Sequence, residues 1–317
     1  MQIIGAATGT AGAEVTPFPA GAHGCARMGT APHRTGTQRN AARINSPPRA
    51  PRAPFHLSAG RPRCRGGAGA GVRAPLHHPG SPAAFRTQME ILARRGFTPL
   101  TTAALGSHWR TGRAPPPRPV LITFDDGYEG VHRHALPVLA EHGSAATAFV
   151  TTGWLRGAYD EGGAPDTMLD WGQVRELAAT GVEIGGHSHT HPQLDQLGKA
   201  RLRAETVRCR DIVTAELGAA PASFAYPYGY STRRVRESVR AAGFAQSLAV
   251  GNALARRGQG PYALERVTVR RGTGAAAFAR LVEGRSVARS FAVDRVLTKG
   301  FAVVRGARRA VTGSAGP

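Results

Sequence analysis

An alternation running from Val120 to Val250 constrains this chain more than any other feature. Val120-Leu121-Ile122-Thr123-Phe124 is a continuous apolar run of β-formers, and Val131, Leu136 and Leu139 follow it at helix spacing up to Gly143. Ala146 to Val150 reads as the next buried strand. Asp170 and Gln173 form a capping box ahead of Val174 and Leu177, closed by Gly181. Val182 to Ile184 is a strand, Gly198 to Leu217 a long helix, Ser223 to Tyr226 a strand, Ser231 to Ala242 a helix and Gln246 to Val250 a strand. Leu264 to Val269 alternates like a further strand, and Phe278 to Val282 closes the series as a short helix. Strands this apolar need cover on both faces, and strand-then-helix repetition supplies it as a parallel sheet wrapped by helices. About five to seven such units in roughly 200 residues predict a distorted or incomplete (β/α) barrel.

Outside that alternation the texture changes. From Met1 to Ala84 a single acid, Glu14, stands against ten arginines, and Gly, Pro and Ala recur without a period. Such a segment buries too little apolar surface to offset its ordering entropy, so residues 1–84 are expected to be disordered. Phe85, Met89, Ile91, Leu92 and then Gly96 read as a short helix with a glycine stop, placing the folded domain at 85–294. Residues 295–317, with Arg295, Lys299, Arg305, Arg308 and Arg309, are expected to form a frayed basic tail.

The net charge of +21 raises the question of a polyanionic partner, but 39 of the 41 basic residues are Arg and they spread over both tails. GC-rich codon usage produces that bias without selection for binding, and no groove-reading helix or aromatic platform stands out, so no specific nucleic acid is expected. Cys25, Cys64 and Cys209 offer neither a CxxC pair nor an even set, which excludes a disulfide scaffold and a zinc ribbon. No run of 18 apolar residues is present, and Met1 to Val15 lacks the layout of a secretory signal. As written the chain reads as cytoplasmic; an export signal at a different N-terminus would make it extracellular or cell-wall associated.

Three motifs sit where strands end, the edge at which parallel β/α folds gather their chemistry. Asp125 and Asp126 follow the first strand, and neighbouring residues there point to opposite sides, so one carboxylate can bind a cation while the other stays free as a base. Alone, Asp-Asp-Gly would read as a solvated turn. His187-Ser188-His189-Thr190-His191 changes that, because three histidines within five residues are not explained by packing. The i,i+4 spacing would place His187 and His191 on one face of a helical turn as metal ligands beside an acidic group. Such a cation would acidify water and polarise a carbonyl, giving Asp125 the task of taking the proton from the attacking water. Phe224-Ala225-Tyr226-Pro227-Tyr228-Gly229 is the third motif; the Tyr228 N–H could face a developing oxyanion, although a plain strand-to-helix turn explains it as well.

In this order the motifs resemble the NodB-homology polysaccharide deacetylases, carbohydrate esterases that remove acetyl groups from chitin-like, peptidoglycan and exopolysaccharide chains. The resemblance covers about Phe85 to Val282 and implies a distorted β/α barrel and an acetylated glycan as substrate. It makes Asp125 the base and Asp126, His187 and His191 the ligands of a divalent cation, zinc first, with cobalt, nickel or manganese as alternatives; under it His189 is not a ligand. Two departures stand out. The family's third motif usually carries an Arg that orients the base, whereas Ala225 lies in the corresponding stretch, a form similar to the branch acting on poly-N-acetylglucosamine-type exopolysaccharides. Many members also place a general-acid His near the end of the domain, yet all 12 histidines here lie at or before His191.

In the exopolysaccharide branch that acid comes from a Tyr-His strand ahead of the first motif. Phe55-His56 and His77-His78 fall roughly there, but among Pro, Gly and Arg. Translation in a wrong frame upstream of Phe85 would produce such a composition, and would leave the chain without its first barrel strand and with an open sheet edge. The leading expectation is therefore a metal-dependent hydrolase removing acetyl groups from an N-acetylhexosamine-containing glycan; the alternative is a catalytically impaired metal- or sugar-binding protein on the same fold.

Overall fold

The computed structural model describes residues 2–5, 81–285 and 287–294. All of them fall in one compact unit. Six strands run parallel: β2 (Thr98–Leu100), β3 (Pro119–Phe124), β4 (Thr147–Val150), β5 (Glu183–Gly186), β6 (Ser223–Ala225) and β7 (Gln246–Leu248). With β1 (Gln2–Gly5) and β8 (Val267–Thr268) they form one sheet in the order β7-β6-β5-β4-β3-β1-β8, β2 pairing with β3 beside that path. The sheet curls. The run 261–268 bonds to β7 at its start, through Ser247 N to Pro261 O and Ala249 N to Leu264 O, both 2.8 Å. It reaches β1 at its end, so one segment draws the two sides of the half-barrel together.

Helices cover the outside, as continuous apolar strands require. They are α1 (Pro82–Arg94), α2 (Thr102–Arg110), α3 (Leu136–Glu141), α4 (Trp171–Ala179), α5 (Lys199–Leu217), α6 (Arg233–Ala241), α7 (Ala275–Val282) and α8 (Val287–Ser290). The capping box of Asp170 and Gln173 forms as the sequence predicts, and α5 ends on Gly218 in the left-handed region. The two faces of β3 fill two layers: Val120, Ile122 and Phe124 pack under the outer helices, while Leu121 joins Phe149, Ala225, Leu248 and Leu264 inside the curl. This period of two sends Thr123 and Asp125 to the inner side.

Besides the short α8, two parts of the fold went unread in the sequence. The first is β2 with α2, which closes the lower end of the curl. Thr102 donates its N–H to Thr147 Oγ1 at 3.0 Å, Ala103 donates to Glu183 Oε2 at 2.7 Å, and Gln246 Nε2 donates to the Thr102 carbonyl at 2.8 Å. The second is β1, which corrects the expectation of disorder from the first residue onward. It runs antiparallel to β3, with Gln2 opposite Thr123 and Gly5 opposite Val120, so the open edge expected beside β3 is filled. Helix α1 also starts ahead of Phe85, with Ser81 as N-cap and Pro82 in the first turn. The expectation of disorder for 6–80 and of fraying for 295–317 falls outside the described residues.

Gly185 shows how closely the inner layer is filled: a Cβ there would lie 2.5 Å from the ring of Phe149 and 2.9 Å from the Ser223 carbonyl oxygen. Phe149 is fully buried and cannot swing away. Gly185→Ala is expected to lower unfolding free energy by about 1–3 kcal/mol, measured by urea denaturation.

Candidate active site at the upper edge of the sheet

Asp125 follows the inner side of β3 and meets Arg266. The guanidinium grips the carboxylate with two parallel bonds, Nη1 to Oδ1 at 2.7 Å and Nη2 to Oδ2 at 2.9 Å. Arg266 has no exposed surface; it also donates to Thr123 Oγ1 at 3.2 Å and to the Ala249 carbonyl at 3.3 Å, and its guanidinium lies 5.6 Å from the Phe149 ring centroid. Burial pushes the Asp125 carboxyl up, but Arg266 with nearby His187 outweighs it and holds the group below the ordinary carboxylate range. No Arg stands in the stretch of Ala225, and the Asp125 carboxylate is gripped instead by an arginine from another part of the chain, one that sequence reading missed. A signal was there: in Leu264-Glu265-Arg266-Val267 an arginine interrupts an apolar strand pattern.

Asp126 leaves the strand with φ of 76°, and Gly127 follows with φ of 97°, turning the second carboxylate away from the first. The turn is pinned by Thr151 N donating to the Asp126 carbonyl at 3.1 Å and Leu169 N donating to the Gly127 carbonyl at 2.9 Å.

The histidine loop rises from β5. The expected helical turn is absent; Ser188 and His191 instead adopt φ of 67° and 57°, and this fold-back brings the two rings together. Three local anchors hold the loop. His191 N donates to Ser188 Oγ at 3.0 Å. Buried Glu205, on α5, accepts from His189 N at 3.0 Å, Thr190 N at 2.8 Å and Thr190 Oγ1 at 2.6 Å. The His189 ring is engaged at both nitrogens, by Thr152 Oγ1 at 2.8 Å and Glu161 Oε1 at 2.9 Å. Glu205 was legible as the one acid on a face otherwise formed by Leu202, Thr206, Cys209, Ile212 and Val213.

His187 Nε2 and His191 Nε2 both aim at Asp126 Oδ1, at 3.3 and 3.2 Å. The three donor atoms lie within 4.8 Å of one another. His187 Nδ1 is 2.8 Å from the Ala225 carbonyl oxygen, a pure acceptor, so Nδ1 carries the hydrogen. In neutral His187 the Nε2 lone pair then faces a carboxylate lone pair, a contact that either a proton on Nε2 or a shared cation would relieve. Two nitrogens and one carboxylate oxygen, with an outer hydrogen bond fixing one ring, form a donor set that fits a divalent cation. Burial raises the Asp126 carboxyl, but hydrogen bonds from both imidazoles carry it far below the ordinary range. Burial disfavours charge on His187, yet Asp125 and Asp126 outweigh it and raise its pKa, whereas burial prevails at His191 and lowers it.

Aromatic rings flank this cluster. Trp154 lies 4.5 Å from the His191 ring on centroids and Tyr228 4.8 Å. Tyr228 has φ of 60° within a short turn, Pro227–Gly229, and remains half exposed. Asp126, Ser188, His191 and Tyr228 are four of the six non-glycine residues with positive φ among those described, the others being Arg118 and Asn252. Backbone strain of this kind concentrates where function demands a fixed geometry. His56, His77 and His78 lie outside the described residues.

Residues 112–247 match the family model described as polysaccharide deacetylase. A Bacillus subtilis protein with a provisional polysaccharide deacetylase name, YxkH, is 27% identical over 199 residues, covering 63% of this chain and 68% of that protein. The poly-beta-1,6-N-acetyl-D-glucosamine N-deacetylase of Escherichia coli K12 is 24% identical over 211 residues, 56% of this chain and 31% of that one. The chain therefore spans about two thirds of the first relative and about a third of the second. The solved structure of the deacetylase PplD of Streptococcus pyogenes, in complex with acetate, shares the fold with a TM-score of 0.59 at 20% identity, covering 63% of this chain and 86% of that one.

Glu205→Ala would leave two backbone N–H groups and a hydroxyl of the histidine loop without their acceptor. At about 1–3 kcal/mol for each unsatisfied buried group, partly relieved by water, a loss of about 2–4 kcal/mol in unfolding free energy is expected, read from denaturant midpoints.

Proposed function

We propose that this chain, whose residues 112–247 match the polysaccharide deacetylase family model, is a metal-dependent hydrolase that removes acetyl groups from N-acetylhexosamine-containing glycans. The observation carrying this reading is the convergence of two imidazole Nε2 atoms on one Asp126 oxygen, beside a second carboxylate held ionised by a buried arginine. Asp126, His187 and His191 would hold the cation, zinc by preference because three protein ligands of this type with open positions suit its catalytic sites. When bound, it would polarise the acetyl carbonyl and acidify water.

The protein's own groups divide the remaining work. Asp125 accepts the proton of the attacking water, and Arg266 keeps that carboxylate ionised and aligned. His187 is held in one tautomer by the Ala225 carbonyl. The turn at Tyr228 lies beside His191, and the nearness of its ring to that imidazole supports assigning the Tyr228 N–H to oxyanion stabilisation. The identity with a poly-N-acetylglucosamine deacetylase supports an amide-linked acetyl group on a glucosamine polymer as substrate.

Three predictions test this reading. Chelated protein should be inactive and regain activity on zinc addition, with one zinc bound per chain by elemental analysis; His191→Ala should lose both. Stoichiometric zinc in His191→Ala would remove it from the ligand set. Asp125→Asn should keep zinc but lose on the order of 10²-fold or more in kcat. Arg266→Gln should also be slow, and its pH profile tells why. Asp125 works ionised, and without Arg266 burial loses its largest opponent and is countered by His187 alone, so the acidic limb of kcat/KM should move to higher pH. A limb that stays in place would show that Arg266 does not set the charge state of Asp125.

A further inference from the structure

Tyr228 presents the ring that the described residues bury least economically. With Val293 it is one of two large hydrophobic side chains left exposed among them, at 50%. Its backbone sits in the left-handed region, which costs about 1–2 kcal/mol for a residue with a side chain. Nothing nearby lets it relax: Pro227 fixes the approach, and Gly229 is pressed so closely beneath Val250 that a Cβ would stand 2.4 Å from the Val250 Cβ. The preceding Tyr226 is buried and its hydroxyl is bonded to Ser247 Oγ at 2.5 Å and to the Tyr262 carbonyl at 3.0 Å. An exposed ring held on a rigid, strained base is preorganised to meet something.

The next ring shows what. Tyr230 stacks against Tyr228, 6.0 Å between centroids and 22° between planes. From His191 outward the rings make a row, 4.8 Å to Tyr228 and then 6.0 Å to Tyr230. Flat electron-rich faces bearing hydroxyls match a pyranose, which offers a C–H face to the ring and hydroxyls at its rim. Resting on the deacetylase reading above, we propose that Tyr228 and Tyr230 form a sugar platform for the glycan unit next to the one at the metal, so that the protein prefers oligosaccharides to a single acetylated sugar.

The test is deacetylation of N-acetylglucosamine, its dimer and its trimer by zinc-loaded protein, compared between wild type and substitutions of Tyr230, the ring farther from the metal. Wild-type kcat/KM should rise with chain length. Tyr230→Ala should lose about 5- to 10-fold on the trimer relative to the monomer, the worth of one aromatic contact, mainly through KM. Tyr230→Phe should keep the gain, since the ring face and not the hydroxyl carries it. An unchanged trimer-to-monomer ratio in Tyr230→Ala, or a Phe variant as weak as the Ala variant, would overturn the platform. If wild type releases no acetate at any length, the deacetylase reading fails; trimer binding to the zinc-loaded protein by calorimetry then judges the platform separately, an equal Kd for wild type and Tyr230→Ala overturning it and a weaker one for Tyr230→Ala supporting it.

Discussion

The Arg266–Asp125 pair sets the terms for the centre of the molecule. A guanidinium without exposed surface stays charged only if its donors find acceptors, and here it finds both oxygens of Asp125, the Thr123 hydroxyl and the Ala249 carbonyl. Those acceptors come from the end of β3 and from the chain just after β7, while Arg266 itself belongs to the segment bridging β7 and β1. The curl of the sheet and the ionisation of Asp125 are therefore one problem with one solution. A hydrophobic isostere could fill that space, but it would leave a buried carboxylate without its counter-charge.

The upper edge shows the converse arrangement, in which backbone strain is spent to converge side chains. Asp126, Ser188 and His191 all turn through the left-handed region. Each is held by bonds made elsewhere: Thr151 on the Asp126 carbonyl, Ser188 Oγ on His191 N, and Glu205 beneath the loop. Helix α5 thus has a second task besides covering the sheet. Its buried carboxylate replaces the backbone partners that the 189–190 amides would have had in a regular element.

How much of this was legible follows from range. The strands and helices from Val120 to Val250 could be read because each is specified by local periodicity, and the Asp170–Gln173 box because both partners lie three residues apart. The cluster of Asp126, His187 and His191 was legible by residue type and strand-end position. Their route to convergence was not, since nothing in the spacing of His187 and His191 distinguishes a helical turn from two left-handed residues. Arg266 lies 141 positions from its partner Asp125, and only the curl makes them neighbours. Strand β1 has four residues whose assignment depends on the edge of β3, far away in sequence.

Helix α2 escaped for a related reason that also explains how the site keeps its shape. Its nine residues carry little apolar periodicity, and what docks them is polar: Thr102 and Ala103 donate to Thr147 and Glu183 on β4 and β5, and Gln246 on β7 reaches back to the Thr102 carbonyl. Glu183 also accepts from the Ser223 hydroxyl on β6. These bonds tie β4, β5, β6 and β7 together at their N-terminal ends, opposite the chemistry. Polar groups buried at the lower end cost free energy unless all are paired, and pairing them fixes the relative position of the strands to within the tolerance of a hydrogen bond. The upper ends inherit that registration, so Asp126 on the β3 side and His187 on the β5 side meet without a direct bond having to create the geometry. The lower network carries the registry, which leaves the strand ends above it free to hold reactive groups in strained loops.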